Sequence, residues 1–250
     1  MEKRIKGEMT IQKTAIEWVR NPNGNQGYSW NPIKGTCPIG CWYCYGKKIY
    51  KRFKLNPNPR IDERSFFDDI VSMMSLNPRG IFVCSTFELF HPITLSPCPW
   101  YPKITWRDAI FHEIKKQDQH RFYILTKLPQ NIDRPMPRNV WLGTTITGLP
   151  ADKLTSSLRQ VQVKIKFVSF EPLLKPMVFF FDSDWWGIDW FVIGRLTGHG
   201  HKYDPKREWI EDIIKNSKRL SIPIFIKNNL IPILGEQFVK ANQKFPKEQP

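Results

Sequence analysis

The sequence predicts an α/β fold: a partial or incompletely closed TIM-type barrel of six or seven βα units with parallel strands. Three observations lead there. From Gly80 onward, short apolar runs of strand length recur with helix-length segments between them. The runs are apolar almost throughout and lack alternation, as strands covered on both faces do. Nearly every run ends in polar residues, the end at which barrels and open parallel sheets both place their working groups.

The elements follow in order. Residues 1–27 are polar, with the loop signal Asn21-Pro22-Asn23-Gly24-Asn25, and read as an N-terminal extension with little order before Ile11. Residues 28–31 start the strand series. Residues 45–54 carry Lys47, Lys48, Lys51, Arg52 and Lys54 and predict a cationic helix, ended by Asn56-Pro57-Asn58-Pro59. Ser65 then caps a second helix with an acidic first turn at Asp68 and Asp69. Strands are expected at 81–85, 122–125, 140–144, 165–169, 190–193 and 224–226, and helices at 105–117, 151–160 and 208–220. In the last helix Trp209, Ile210, Ile213 and Ile214 share one face, while Lys215, Lys218 and Arg219 gather near its C-terminal end. The barrel domain is expected over 28–234, with 235–250 as a C-terminal tail.

A chain of 250 residues, 41% hydrophobic, is long enough to bury a full core. Its formal charge of +15 points to a polyanionic partner, with nucleic acid or a nucleotide the first choice and a merely solubilising lysine-rich surface the alternative. No apolar run reaches the roughly 20 residues a membrane helix needs, and Met1-Glu2-Lys3-Arg4-Ile5-Lys6 leads into polar sequence. The expectation is a cytoplasmic protein with no membrane partner. The clustering of the cysteines argues against a disulfide framework.

Three of the five cysteines, Cys37, Cys41 and Cys44, stand in a C-x3-C-x2-C run. An odd number of thiols with no second pair suits an iron-sulfur cluster of the 4Fe-4S type, in which one iron keeps an open position. A zinc site completed by a distant residue is the alternative, and would make the chain a zinc-stabilised nucleic-acid-binding protein without catalysis. Cys84, inside an apolar run, reads as a small core residue. Cys98 lies in the proline-bounded loop Pro97-Cys98-Pro99, with its role open.

At these residues the chain resembles the radical S-adenosylmethionine superfamily, whose signature is this spacing with an aromatic residue before the last cysteine; Tyr43 fills that place. The resemblance implies that Cys37, Cys41 and Cys44 hold the cluster and that the open iron chelates the amino and carboxylate groups of S-adenosylmethionine. One-electron reduction from an electron donor then yields a 5'-deoxyadenosyl radical, and the protein positions it against a substrate hydrogen. Trp30-Asn31-Pro32, Ser85-Thr86-Phe87-Glu88-Leu89-Phe90-His91, Leu125-Thr126-Lys127, Trp141-Leu142-Gly143, Ser169-Phe170-Glu171-Pro172 and Phe225-Ile226-Lys227 further resemble an uncharacterised phage-associated family with a three-cysteine motif. That family's Gly-Gly-Glu-Ser-Gly stretch appears here as Gly194-Arg195-Leu196-Thr197-Gly198, without the glutamate.

A bound S-adenosylmethionine needs partners for its amine, carboxylate, ribose and adenine. Ser85, Glu88, Thr144 and Thr145 at strand ends suit amine and ribose groups, Lys127 or Arg195 the carboxylate, backbone near Tyr43 the adenine, and Lys227 is a further cofactor-binding candidate. Glu171, Lys127 and His91 are the candidates for the chemistry itself. For Lys227 and His91 the competing role is to cap a strand or satisfy a carbonyl. Trp185, Trp186, Trp190 and Phe179-Phe180-Phe181 suit either nucleobase stacking or core packing.

Overall fold

The computed structural model describes residues 11–20, 24–148 and 152–247. Its first part runs β1 (Ile11–Lys13), β2 (Tyr28–Trp30), β3 (Ile33–Lys34), α1 (Tyr45–Phe53), β4 (Arg60–Ile61), α2 (Glu63–Met74), β5 (Gly80–Val83), β6 (Pro97–Cys98), β7 (Tyr101–Thr105) and α3 (Trp106–Lys116). It continues through β8 (Arg121–Thr126), β9 (Val140–Thr145), α4 (Asp152–Arg159), β10 (Ile165–Phe170), β11 (Trp190–Ile193), α5 (Arg207–Arg219), β12 (Ile224–Ile226), α6 (Ile231–Leu234) and α7 (Glu236–Ala241). The expected α/β class is present. Eight strands form one sheet in the order β1-β2-β5-β8-β9-β10-β11-β12, so from β2 onward the order follows the chain. β1 runs antiparallel to β2, whereas β2–β5, β5–β8, β9–β10, β10–β11 and β11–β12 are parallel.

The chain divides into two compact units. The first takes residues up to Ile124 with Pro137–Val140, and the second takes Leu125–Met136 with everything from Trp141. The division falls inside β8, where the unbroken βα rhythm of the sequence carries no linker signal.

In the first unit the fold starts earlier than the polar composition suggests. Ile11 pairs with Trp30 across β1 and β2, and Trp18 and Val19 are buried. The Trp18 ring packs on Phe82 and Tyr123 at 5.3 and 5.6 Å, and the Tyr123 hydroxyl donates to the Arg20 carbonyl at 2.5 Å. Two apolar residues in a polar run are enough to seat it. The rest of the expected extension, residues 1–10 and 21–23, lies outside the described residues, as does Ala151 of the helix expected at 151–160. The second helix also starts earlier than expected. Asp62, not Ser65, is the N-cap of α2, and its carboxylate accepts from the Ser65 amide at 2.8 Å. α3 opens on a capping box in which Thr105 and Asp108 satisfy one another's amides.

Asp69 of α2 is buried and accepts from the Trp30 indole at 3.1 Å. Burial pushes its carboxyl up to about 7, against the opposing pull of Lys34 and of that hydrogen bond. From about pH 4 to about pH 7 the unfolded chain has lost a proton that the folded chain keeps, so stability falls as pH rises through that window and levels off above it. The full effect is on the order of 4 kcal/mol. Asp69→Asn keeps an acceptor for Trp30 and is expected to flatten this slope in urea melts at several pH values. An unchanged slope would mean that Asp69 ionises normally.

In the second unit the two faces of the sheet have different contents. One carries an aromatic layer: Trp190 packs on Trp141, Phe167 and Phe225 at 5.8, 5.7 and 6.1 Å. Gly143 lies opposite Phe167 in register, and a Cβ there would fall 2.4 Å from the Phe167 ring. Residues two along each strand share that face, so Thr145 and Ser169, also paired in register, continue it toward the carboxyl ends. On the other face Phe170 packs against Phe191 and Trp185.

The stretch 235–250 is more than a tail. It contains α7, and after it the chain returns along β12: Ile226 donates to the Asn242 carbonyl at 3.0 Å and Lys244 to the Ile224 carbonyl at 2.9 Å. The Trp190 indole donates to the Lys244 carbonyl at 2.8 Å, and Phe245 packs on Trp190 and Phe225 at 5.2 and 5.4 Å. These contacts are largely to backbone, which leaves no pattern in the side chains. Residues 248–250 lie outside the described residues.

Candidate functional site

In the first unit, β3 leads into the cysteine loop. Two successive tight turns shape it, closed by Gly40 N–H to the Cys37 carbonyl and Cys44 N–H to the Cys41 carbonyl, both at 3.2 Å. Cys44 is also the N-cap residue of α1. The loop is tied down at both ends: Gly35 N–H donates to the Tyr50 hydroxyl at 2.6 Å, Thr36 N–H to the Pro57 carbonyl at 2.8 Å, and Lys47 Nζ to the Gly40 carbonyl at 3.2 Å. Cys37, Cys41 and Cys44 are all free thiols and all partly exposed. Burial pushes the Cys37 thiol up, and the neighbouring charges of Glu88 and Cys41 push the same way against opposing backbone hydrogen bonds. Burial also raises the Tyr43 hydroxyl, reinforced by Cys41, to which it is hydrogen-bonded, and by Cys44.

The turn after β5 faces this loop. Asn31, at the end of β2, accepts through Oδ1 from Ser85 Oγ at 3.1 Å and from Thr86 N and Oγ1, both at 3.3 Å. Ser85 in turn accepts at its carbonyl from the Tyr45 hydroxyl at 3.2 Å. Glu88 is buried, and its carboxylate accepts from Phe90 N–H at 3.1 Å while its charge reaches Cys37. Cys84 is buried as expected, but it also lies within electrostatic reach of Cys37, a proximity that sequence separation concealed. His91 caps the short 3-10 turn 92–95, with Nδ1 accepting from Ile93 N–H at 3.2 Å. Cys98 is buried and donates to the Thr105 carbonyl at 3.4 Å.

In the second unit, the carboxyl ends of β9 to β12 carry a separate polar layer. Glu171, just past β10, pairs with Lys227, just past β12, at 2.5 Å. Gly194, just past β11, lies against this pair: a Cβ there would meet the Glu171 carboxyl at 2.8 Å and the Lys227 side chain at 3.0 Å. Thr145 Oγ1 and Ser169 Oγ are buried with no hydrogen-bond partner among the described residues. Thr144 faces the other way and donates to the Thr126 carbonyl at 3.1 Å. Lys127 follows β8 and is partly buried. Arg195 is locked in place: its guanidinium donates to the Asn229 carbonyl at 2.6 Å and to Asp204 at 2.8 Å, and Asp204 also contacts His201 Nδ1 at 2.8 Å. Burial opposes ionisation of Asp204, but these hydrogen bonds hold its carboxyl below the usual range.

A family model described as "Protein of unknown function (DUF5131)" matches residues 13–238. The chain belongs to this family. The match contains the cysteine loop, the Asn31 cluster and the Glu171–Lys227 pair, and it stops before the segment that returns along β12. No curated protein and no solved structure matches the chain.

The sequence candidates therefore fall into two groups. Cys37, Cys41, Cys44, Tyr43, Ser85 and Glu88 come together in the first unit, with His91 engaged as a cap. Thr145, Glu171 and Lys227 come together in the second, and Arg195 is committed to Asn229 and Asp204. Sequence reasoning assigned no role to Asn31, Ser169, Gly194 or Asp204, although all but Asp204 lie in the stretches that carried the family resemblance. Of the expected aromatic cluster, Trp185 and Trp190 are core residues and Phe179 packs on Trp185, while Phe180, Phe181 and Trp186 are exposed. Among the described residues no three His, Cys, Asp or Glu side chains are gathered closely enough to hold a metal ion. The donor set of the loop nevertheless suits thiophilic iron, since thiolates are the usual ligands of iron-sulfur clusters.

Proposed function

We propose that this chain is a radical S-adenosylmethionine enzyme in which Cys37, Cys41 and Cys44 hold a 4Fe-4S cluster, acting on nucleic acid or a nucleotide. The observation that carries the reading is one loop of two consecutive turns bearing three free, partly exposed thiols, anchored beside the carboxyl ends of β2 and β5. When bound there, such a cluster would supply one-electron reductive cleavage of S-adenosylmethionine, the chemistry that opens hydrogen abstraction from a substrate.

The chain's own residues then bind and orient. Asn31 fixes Ser85 and Thr86, and Glu88 offers a carboxylate beside Cys37 for an ammonium group. In the second unit Lys227 and Glu171 present opposite charges side by side, and the two orphaned hydroxyls of Thr145 and Ser169 are ready for a polar ligand. The strand order, which follows the chain from β2 to β12, supports an incompletely closed barrel of the TIM type over a doubly wound sheet, whose order reverses. No described helix is long and apolar enough to cross a membrane.

The test is turnover. Oxygen-free, cluster-reconstituted protein given S-adenosylmethionine and a one-electron reductant is expected to release 5'-deoxyadenosine. Absence of that product, with and without nucleic acid, would contradict the proposal.

A further inference from the structure

We infer that the outward face of α1 is a stacking platform for single-stranded nucleic acid. This deepens the proposal of a nucleic-acid partner and rests on it, but it does not depend on the cluster. Tyr45, Ile49 and Phe53 recur every fourth residue on one side of the helix, so these three side chains form one stripe, and Trp42 stands in the turn that leads into it. They are 53, 37, 54 and 55% exposed, well beyond what a folded helix normally leaves to water in a row. From Tyr45 to Phe53 the stripe runs about 12 Å along the axis.

The helix is held firmly from its other side. Gly46 is buried, with Cys44 Sγ and Thr86 at contact distance from where a Cβ would sit. Tyr50 accepts from Gly35 N–H, and at the near end of the stripe the Tyr45 hydroxyl is fixed on the Ser85 carbonyl. The exposed stripe is thus presented on a rigid support.

Charge decides the occupant. Between Glu17 and Asp62 the chain carries eight Lys or Arg residues and no acid, and five of the eight, Lys47, Lys48, Lys51, Arg52 and Lys54, are exposed on or just after α1. Arg52 places its guanidinium 5.5 Å from the Phe53 ring, so cation and ring are offered together. Rings beside exposed cations match a polymer with a phosphate at each step and a flat base beside it. In a duplex the base faces are already stacked on one another, which leaves only a single strand to cover the rings. The stripe has no amide or carboxylate to read base edges or a 2'-hydroxyl, so binding is indifferent to sequence and sugar.

The test is fluorescence anisotropy of a labelled oligothymidylate of about 12 nucleotides with the 250-residue chain, comparing wild type, Trp42→Ala/Phe53→Ala and Lys48→Glu/Arg52→Glu. Losing two rings is expected to weaken binding at least about tenfold at fixed salt. The charge reversal is expected to weaken binding and to reduce the slope of log affinity against log salt by at least about 1.4. The thermal midpoint of both variants should stay at the wild-type value, since the substituted side chains are exposed. Wild-type binding that both variants retain would overturn the platform. So would duplex binding as tight as single-strand binding, or loss in the same variants of tighter binding to vesicles rich in anionic lipid. No binding of the oligonucleotide by wild type would instead remove nucleic acid from the proposed function.

Discussion

Replacing Lys227 by methionine is expected to lower stability by about 3 kcal/mol and to abolish the proposed release of 5'-deoxyadenosine. The Glu171–Lys227 pair is largely shielded from solvent, with side chains 24 and 14% exposed, so removing one partner strands a charge in a poorly solvated place. Substituting both, as Glu171→Leu/Lys227→Met, takes both charges away and is expected to recover most of the lost stability. Activity should not return. Urea melts and turnover on these two variants and the wild type separate a structural pair from a functional one. Recovery of both stability and turnover in the double variant would show that the pair only holds the fold.

A chain ending at Ala241 is expected to melt far lower and to aggregate. The missing segment supplies the main-chain partners of Ile224 and Ile226, the acceptor for the Trp190 indole, and the Phe245 ring on the aromatic layer. Its loss removes on the order of 5 kcal/mol, a large share of the stability of an ordinary domain. It also bares the outer edge of β12 to pairing with other chains. Phe245→Ala alone should lower stability by about 2 kcal/mol, less than for a fully buried aromatic because the ring is only half-buried. Thermal melting with light scattering reads both variants. An unchanged midpoint in the truncated chain would mean that the segment is not seated as described.

What the sequence discloses depends on where the stabilising contacts lie. β11 and β12 are legible to the residue, because Trp190–Ile193 and Ile224–Ile226 are uninterrupted apolar runs bounded by polar or turn residues. The basic helix after Cys44 and the amphipathic α5 are legible for the same local reason. β1 is not: Gln12 and Lys13 are exposed, and the strand exists because Trp30 and its neighbours offer an edge. The returning segment at 242–245 leaves as little trace, since its contacts are made mainly through backbone.

The candidate site follows the same division. Cys37, Cys41 and Cys44 announce themselves by spacing, and Glu171 and Lys227 by standing just past apolar runs. The partnership of Glu171 with Lys227 spans 56 residues, and only the fold discloses it. Asn31 is a single polar residue in a turn, and its three hydrogen bonds reach 54 and 55 residues away. Arg195 reads in the sequence as an available cation, and in the fold Asp204 and Asn229 hold it.

Metal content decides whether the three thiols hold an iron-sulfur cluster. Protein purified without oxygen is measured for iron, sulfide and zinc, with electronic absorption, beside a Cys37→Ala/Cys41→Ala/Cys44→Ala variant. About four irons and four sulfides per chain with a broad visible band, all absent from the variant, is the predicted result. Zinc near one per chain with no iron, even after reconstitution, would contradict it and leave a zinc-stabilised nucleic-acid-binding protein without catalysis.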